Sequence, residues 1–117
     1  MKDCILHNPR CRKSRKTLSL LRERGVDVEV VEYLRHPPSP SELHKICTLL
    51  DVHPTELVRT GESQFRELGL SLDDDRTVED WIDILVEYPR LIERPIVVLG
   101  GKAVVGRPPE NALALFD

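Results

Sequence analysis

The chain has 117 residues with 40% hydrophobic and 32% charged content, a balance that fits one soluble globular domain. Its formal net charge of -3 makes the molecule as a whole a poor match for nucleic acid or anionic lipid, so neither is expected as a partner. The apolar runs fall far short of the ~18 residues of a membrane span, and the stretch around Ile5 and Leu6 is too short for a signal peptide; a cytoplasmic location is expected.

Residues 3–6 form a short apolar run that ends at His7-Asn8-Pro9, which reads as a strand followed by a turn. From Cys11 to Arg24 the pattern becomes helical. Thr17, Leu18 and Leu21 share one face, and Gly25 stands just past the last turn. Val26 to Val30 alternates apolar and polar residues and continues through Tyr33 and Leu34, the period of a second strand. Strands joined through a helix are normally parallel.

His36-Pro37-Pro38 breaks that strand. Ser39-Pro40-Ser41-Glu42 is a strong helix start, with Ser39 as cap, Pro40 in the first turn and Glu42 completing a capping box. Leu43, Ile46, Cys47 and Leu50 form its apolar face. A shorter helix is expected from His53-Pro54 to near Arg59, and further helical turns over 62–69. Thr77-Val78-Glu79-Asp80 opens a helix bearing Trp81, Ile82, Leu85 and Val86, which Pro89 ends. Pro95 to Leu99, Gly100-Gly101, and Lys102 to Val105 read as a hairpin. Arg107-Pro108-Pro109-Glu110 starts a last helix through Leu115. The order βαβ, helices, ββα is that of an α/β thioredoxin-like fold: one domain over 1–117, with a helical insertion at about 39–93 before the C-terminal hairpin.

The first helix begins with charges of the wrong sign. Arg10, Arg12, Lys13, Arg15 and Lys16 place five cations in seven residues, at an end where each is disfavoured by roughly 0.3–1 kcal/mol. A solvated basic patch is one explanation. The other is that this end holds an anion between cations and free backbone N–H groups. Cys11 lies at the same end, where a thiol is stabilised as the thiolate, the competent nucleophile at neutral pH. His7 could add positive charge or a hydrogen bond, and the Ser14 hydroxyl could donate to the sulfur.

Position 14 is serine, so Cys11 has no Cys-x-x-Cys partner. A resolving thiol must be external, or be Cys4 or Cys47, both of which read as packed residues. Position 17 is threonine, whereas phosphatase-type loops need arginine six positions after the cysteine; this excludes the low-molecular-weight phosphatases and the arsenate reductases built on that loop. The three cysteines and four histidines lack metal-ligand spacing, and Asp73-Asp74-Asp75 reads as an acidic turn before a helix, so no metal is expected.

The string His7-Asn8-Pro9-Arg10-Cys11-Arg12-Lys13-Ser14-Arg15-Lys16-Thr17-Leu18 resembles the active-site segment of the glutaredoxin-coupled arsenate reductases. The likeness continues through Tyr33-Leu34, Pro37-Pro38, Arg59, Leu91 to Val98 and Gly106 to Glu110, in the manner of a chromosomal branch of that family. It implies that Cys11 is the catalytic cysteine, that His7 and Ser14 tune its thiolate, and that Arg59, Arg94 and Arg107 bind the oxyanion. Pro95 would be the cis-proline beside the site. The implied activity is reduction of arsenate to arsenite through a covalent thio-arsenate on Cys11. Glutathione would be the co-substrate, glutaredoxin the protein partner, no cofactor would be tightly bound, and the chain would be a monomer. Two alternatives stand beside this one: a glutathione-linked thiol-redox protein with another substrate, and a regulatory binding protein like the transcription regulators that share the fold.

Overall fold

The computed structural model describes residues 1–116, and the chain divides into two compact units, 1–36 with the segment from 94 onward, and Pro37–Glu93. The first unit holds all four strands: β1 (Cys4–His7), β2 (Glu29–Glu32), β3 (Ile96–Leu99) and β4 (Lys102–Val105), with helix α1 (Arg12–Glu23) between β1 and β2. The sheet order is β2-β1-β3-β4. β1 runs parallel to β2 and antiparallel to β3, and β3 is antiparallel to β4. This mixed sheet is the thioredoxin-like arrangement.

Strand alternation decides which side chains meet α1. Ile5 and Val97 are directly paired across β1 and β3 and pack with Leu18 and Leu21 of α1; Val26, Val28, Val104, Leu115 and Phe116 complete that cluster. His7 shares the Ile5 side of β1, two residues on, so the same alternation aims it toward α1. Cys4, Leu6, Ile96 and Val98 are also buried.

The hairpin turns through Gly100 (φ 58°) and Gly101 (φ 76°). Positive φ at both positions is the two-residue turn that matches strand twist, and glycine reaches it without steric cost.

In this first unit two expectations change. The second strand starts later and ends earlier than its alternation suggested. Its ladder opens where Glu29 faces Cys4 and closes at Glu32 opposite His7, because β1 offers only four residues. Val26 and Val28 pack against the core without ladder partners in β1. Tyr33 and Leu34 lie in a turn, where the Glu32 carbonyl accepts from Arg35 N (2.9 Å) and His36 N (2.9 Å). The last segment, Pro109–Phe116, is a 3-10 helix rather than an α-helix. Pro108 and Pro109 have no N–H to donate, and Asn111 N takes the Pro108 carbonyl at 3.0 Å.

The second unit contains α2 (Pro40–Leu50), α3 (Ser63–Glu67) and α4 (Val78–Glu87), with 3-10 turns at Pro54–Leu57 and Pro89–Leu91. The first of these turns stands where a short helix to Arg59 was expected. Both capping boxes are present: Ser39 with Glu42, and Thr77 with Asp80. Leu43 and Ile46 of α2 and Trp81, Ile82 and Leu85 of α4 are fully buried, while Leu50 and Val86 are only partly so. No helix among the described residues is long and apolar enough to cross a membrane.

Candidate active site

The turn after β1 delivers Cys11 to the start of α1. The Asn8 carbonyl accepts from Cys11 N (2.9 Å), and the Asn8 Oδ1 accepts from Arg10 N (3.0 Å). This side-chain turn is the local chemistry for which asparagine before proline is suited. Arg15 Nη1 donates to the Pro9 carbonyl at 3.0 Å and fastens the same loop from the helix side. Cys11 is the N-cap residue, with φ -90° and ψ 120°, and it is partly exposed.

Burial pushes the Cys11 thiol up, but four stabilising contacts outweigh it and hold it below the ordinary thiol value. In order, they are the Ser14 amide, the Arg94 charge, the Lys13 amide and the Arg107 charge. The sulfur makes no capping hydrogen bond of its own, but it lies close enough to N–H groups that a helix start leaves unpaired for them to stabilise its thiolate. The two charges come from residues far along the chain, and not from the adjacent cations. Arg10, Arg12, Lys13, Arg15 and Lys16 are all exposed.

His7 and Ser14 come together beneath this loop. His7 Nδ1 and Ser14 Oγ are 2.6 Å apart, and Ser14 Oγ accepts from Asn8 N at 3.1 Å. Both residues are buried. Burial is the main influence on His7 and lowers its pKa; Glu32 opposes this, while Arg22 and Arg15 add to it. His7 is therefore a neutral partner of Ser14 rather than an added positive charge. The Ser14 hydroxyl is engaged by His7 and Asn8, and it is the Ser14 backbone N–H that serves the sulfur.

Arg94 and Arg107 are linked, with Arg107 Nη1 donating to the Arg94 carbonyl at 3.4 Å. Each precedes a cis-proline, Pro95 and Pro108; the first is the one the resemblance implied. Gly106 joins them to α1. Its N–H donates to the Pro95 carbonyl (2.9 Å), and Thr17 Oγ1 donates to the Lys13 carbonyl (2.8 Å) and lies 3.4 Å from the Gly106 carbonyl. A Cβ at position 106 would lie 2.6 Å from Thr17 Oγ1 and 2.9 Å from Pro95 Cγ. Sequence reasoning treated Thr17 as core and gave Gly106 no separate role. Their function is visible only as a three-way contact between distant segments.

Arg59 belongs to the other unit and is built into a network of its own. Its Nη1 lies 3.5 Å from Glu62 Oε2 and donates to the Arg90 carbonyl at 3.2 Å. Glu62 Oε1 in turn accepts from Arg90 Nη2 at 2.5 Å. Glu62 was missed from sequence, although its i,i+3 spacing to Arg59 is a usable signal. Two cations around one carboxylate leave this cluster with a surplus positive charge.

The other cysteines are differently placed. Cys47 is buried, and burial raises its pKa. Cys4 is buried at the opposite end of β1 from the loop that carries Cys11, about 10 Å of strand from His7 at ~3.3 Å per residue. In the acidic turn, the Asp74 carboxylate accepts from Ser71 N (3.0 Å) and Arg76 Nε (3.0 Å), and these two contacts lower its pKa.

Fold and site together define a thioredoxin-like chain with one acidified, accessible thiol at a helix N-terminus. The chain belongs to the ArsC family, whose model matches residues 6–115. It is 46% identical to an arsenate reductase of Neisseria meningitidis over 116 residues, covering 96% of each chain. It is equally identical to the uncharacterised protein YfgD of Escherichia coli K12 over 112 residues, covering 95% of this chain and 93% of that one. Among solved structures, the arsenate reductase from Vibrio cholerae matches with a TM-score of 0.91 at 40% identity, covering 98% of both chains.

Proposed function

We propose that this protein reduces arsenate to arsenite, with Cys11 as the nucleophile. The observation that carries the reading is the partly exposed Cys11 thiol, acidified by two helix-start amides and by Arg94 and Arg107. The similarity to a protein named arsenate reductase at 46% identity supports arsenate as the substrate. An anionic nucleophile must approach an anionic substrate, and positive groups placed around the reacting centre remove that repulsion. Arginine's planar fork suits a tetrahedral oxyanion. Arg94 and Arg107 fill this role beside Cys11, and the resemblance to the family adds Arg59 as a third oxyanion-binding arginine.

In the proposed cycle the Cys11 thiolate attacks arsenic and expels one oxygen as water, giving a thio-arsenate. A glutathione thiolate then attacks the Cys11 sulfur. The S–As bond breaks, its electron pair goes to arsenic, and arsenite leaves from a Cys11–glutathione disulfide. The two electrons come one pair per disulfide formed, so no tightly bound cofactor is needed. Glutaredoxin returns Cys11 to the thiol. His7 and Ser14 position the loop that holds the sulfur, and Pro95 shapes its edge.

The test is NADPH oxidation coupled through glutathione reductase, with glutathione, glutaredoxin and arsenate present. Arsenate-dependent turnover that disappears in Cys11→Ser supports the reading. Turnover that survives in Cys11→Ser but is lost in Cys47→Ser would overturn it. Activity restored only by thioredoxin and its reductase would keep the substrate and replace the reductant. Glutathionylation of Cys11 without arsenate turnover would favour a thiol-redox protein with another substrate.

A further inference from the structure

Of the five cations at the start of α1, only Arg15 has a side-chain contact in the site just described, through its bond to the Pro9 carbonyl. Cys11 is acidified by amides and by Arg94 and Arg107. Among the described residues, no ion pair engages Arg10, Arg12, Lys13, Arg15 or Lys16. All five are exposed, and the first turn of α1 holds no acidic residue to offset them. They sit on a molecule of net charge -3, so the concentration of positive charge is local. Unpaired cations at a helix N-terminus oppose the helix dipole, and a local cost of this kind points to a use on the surface.

The geometry gives that use a shape. Arg12, Arg15 and Lys16 line a groove of about 410 Å³ beside α1, together with Ser19, Leu20, Glu23, Pro109 and Glu110. Cys11 is the N-cap of the same helix, with Arg12 the next residue and Arg15 one turn on. The groove carries three cations against two carboxylates, so its lining is net positive.

We propose that this basic flank of α1 is the docking surface for the protein that reduces Cys11, and that it engages carboxylates around that partner's own thiol. The proposal rests on the reading that Cys11 passes through a glutathione disulfide. In that exchange the partner's thiolate attacks the glutathione sulfur. Cys11 departs as a thiolate, and the partner carries the glutathione as a new disulfide. A small thiol needs no docking surface for the same exchange. A protein must bring its thiol to a partly exposed sulfur in one orientation, and complementary charge at the rim speeds that encounter.

The experiment starts from the purified chain with Cys11 converted to its glutathione disulfide, so it requires no arsenate turnover. Loss of the glutathione disulfide from Cys11, read by intact mass, is followed with glutaredoxin as reductant and, separately, with the neutral thiol 2-mercaptoethanol. The expected second-order rate with glutaredoxin falls as salt is raised, as for an encounter steered by exposed charges. Arg12→Glu with Lys16→Glu slows it by about tenfold or more at low salt, and Arg12→Gln with Lys16→Gln gives an intermediate loss. The rate with 2-mercaptoethanol stays unchanged in every variant. A glutaredoxin rate indifferent to salt and to both double substitutions would overturn the proposal. So would equal slowing with both thiols, which would place the effect on the Cys11 leaving group. The thermal midpoint of each variant checks that it is folded, and the acid placed at Arg12 falls in the first turn of α1, where it is favourable.

Discussion

The three longer helices of this chain begin in two different ways. In the helical unit, α2 starts with Ser39 and Glu42 in a reciprocal capping box, and α4 starts with Thr77 and Asp80 in another. Each has an acid in its first turn, as the dipole favours. In the sheet unit, α1 starts with Cys11, has no capping side-chain bond and no first-turn acid, and follows a loop containing Arg10. The contrast shows what a free helix start is for. Where the amides are satisfied by an oxygen of the same chain they serve stability; at α1 they are kept for the Cys11 sulfur.

The sharpest way to break that comparison is Cys11→Ser. Serine is a preferred N-cap, worth about 1 kcal/mol over a residue that does not cap. The variant is expected to lose arsenate turnover altogether while its thermal midpoint holds or rises. A clear drop in that midpoint would mean that the sulfur is structural.

Next in size are the two arginines. Removing Arg94 or Arg107 as alanine takes away one of the charges that stabilise the thiolate. The thiol pKa should move up toward the ordinary value, read from thiolate absorbance against pH. Turnover should fall by about 10²–10³, the scale for losing one preorganised charge-stabilising group. An unmoved titration curve would leave the Ser14 and Lys13 amides as the whole cause.

Gly106→Ala tests the junction that holds Arg107. The added Cβ meets Thr17 and Pro95 at 2.6 and 2.9 Å, and overpacking of this kind costs about 1–3 kcal/mol. Thermal unfolding should report the loss. Thr17→Ser in the same background removes the γ-methyl that stands 3.0 Å from the new atom and should recover part of it. In the other unit, Ser39→Ala and Thr77→Ala should each cost about 1 kcal/mol and leave the Cys11 titration unmoved.

The smallest effect concerns His7. Its folded-state pKa is lowered by burial, so the unfolded chain takes up the proton first as pH falls. Stability from the neutral imidazole is complete above the ordinary value of about 6.5 and is lost as pH drops from there through the lowered folded value. His7→Asn should flatten that part of the stability profile, measured by denaturant unfolding between pH 7.5 and pH 5. An unchanged slope would mean that His7 accepts its proton without cost.

The sequence by itself determined the local events. Alternation and helical spacing set the βαβ and hairpin order, Ser39-Pro40-Ser41-Glu42 and Thr77 to Asp80 announced two capped helices, and Gly100-Gly101 announced the turn. Cys11 was marked by charge at a helix start, because a violated local rule is visible in a string of letters. Tertiary structure decided what local rules cannot contain. It shortened β2 to the four residues that β1 can pair. It showed that the thiol draws its charge stabilisation from Arg94 and Arg107, and not from the cations beside it. It gave Thr17 and Gly106 a shared task, and made His7 neutral by burying it. Coulomb energy and packing depend on distance in space, and residues 11, 94 and 107 become neighbours only when the chain has folded.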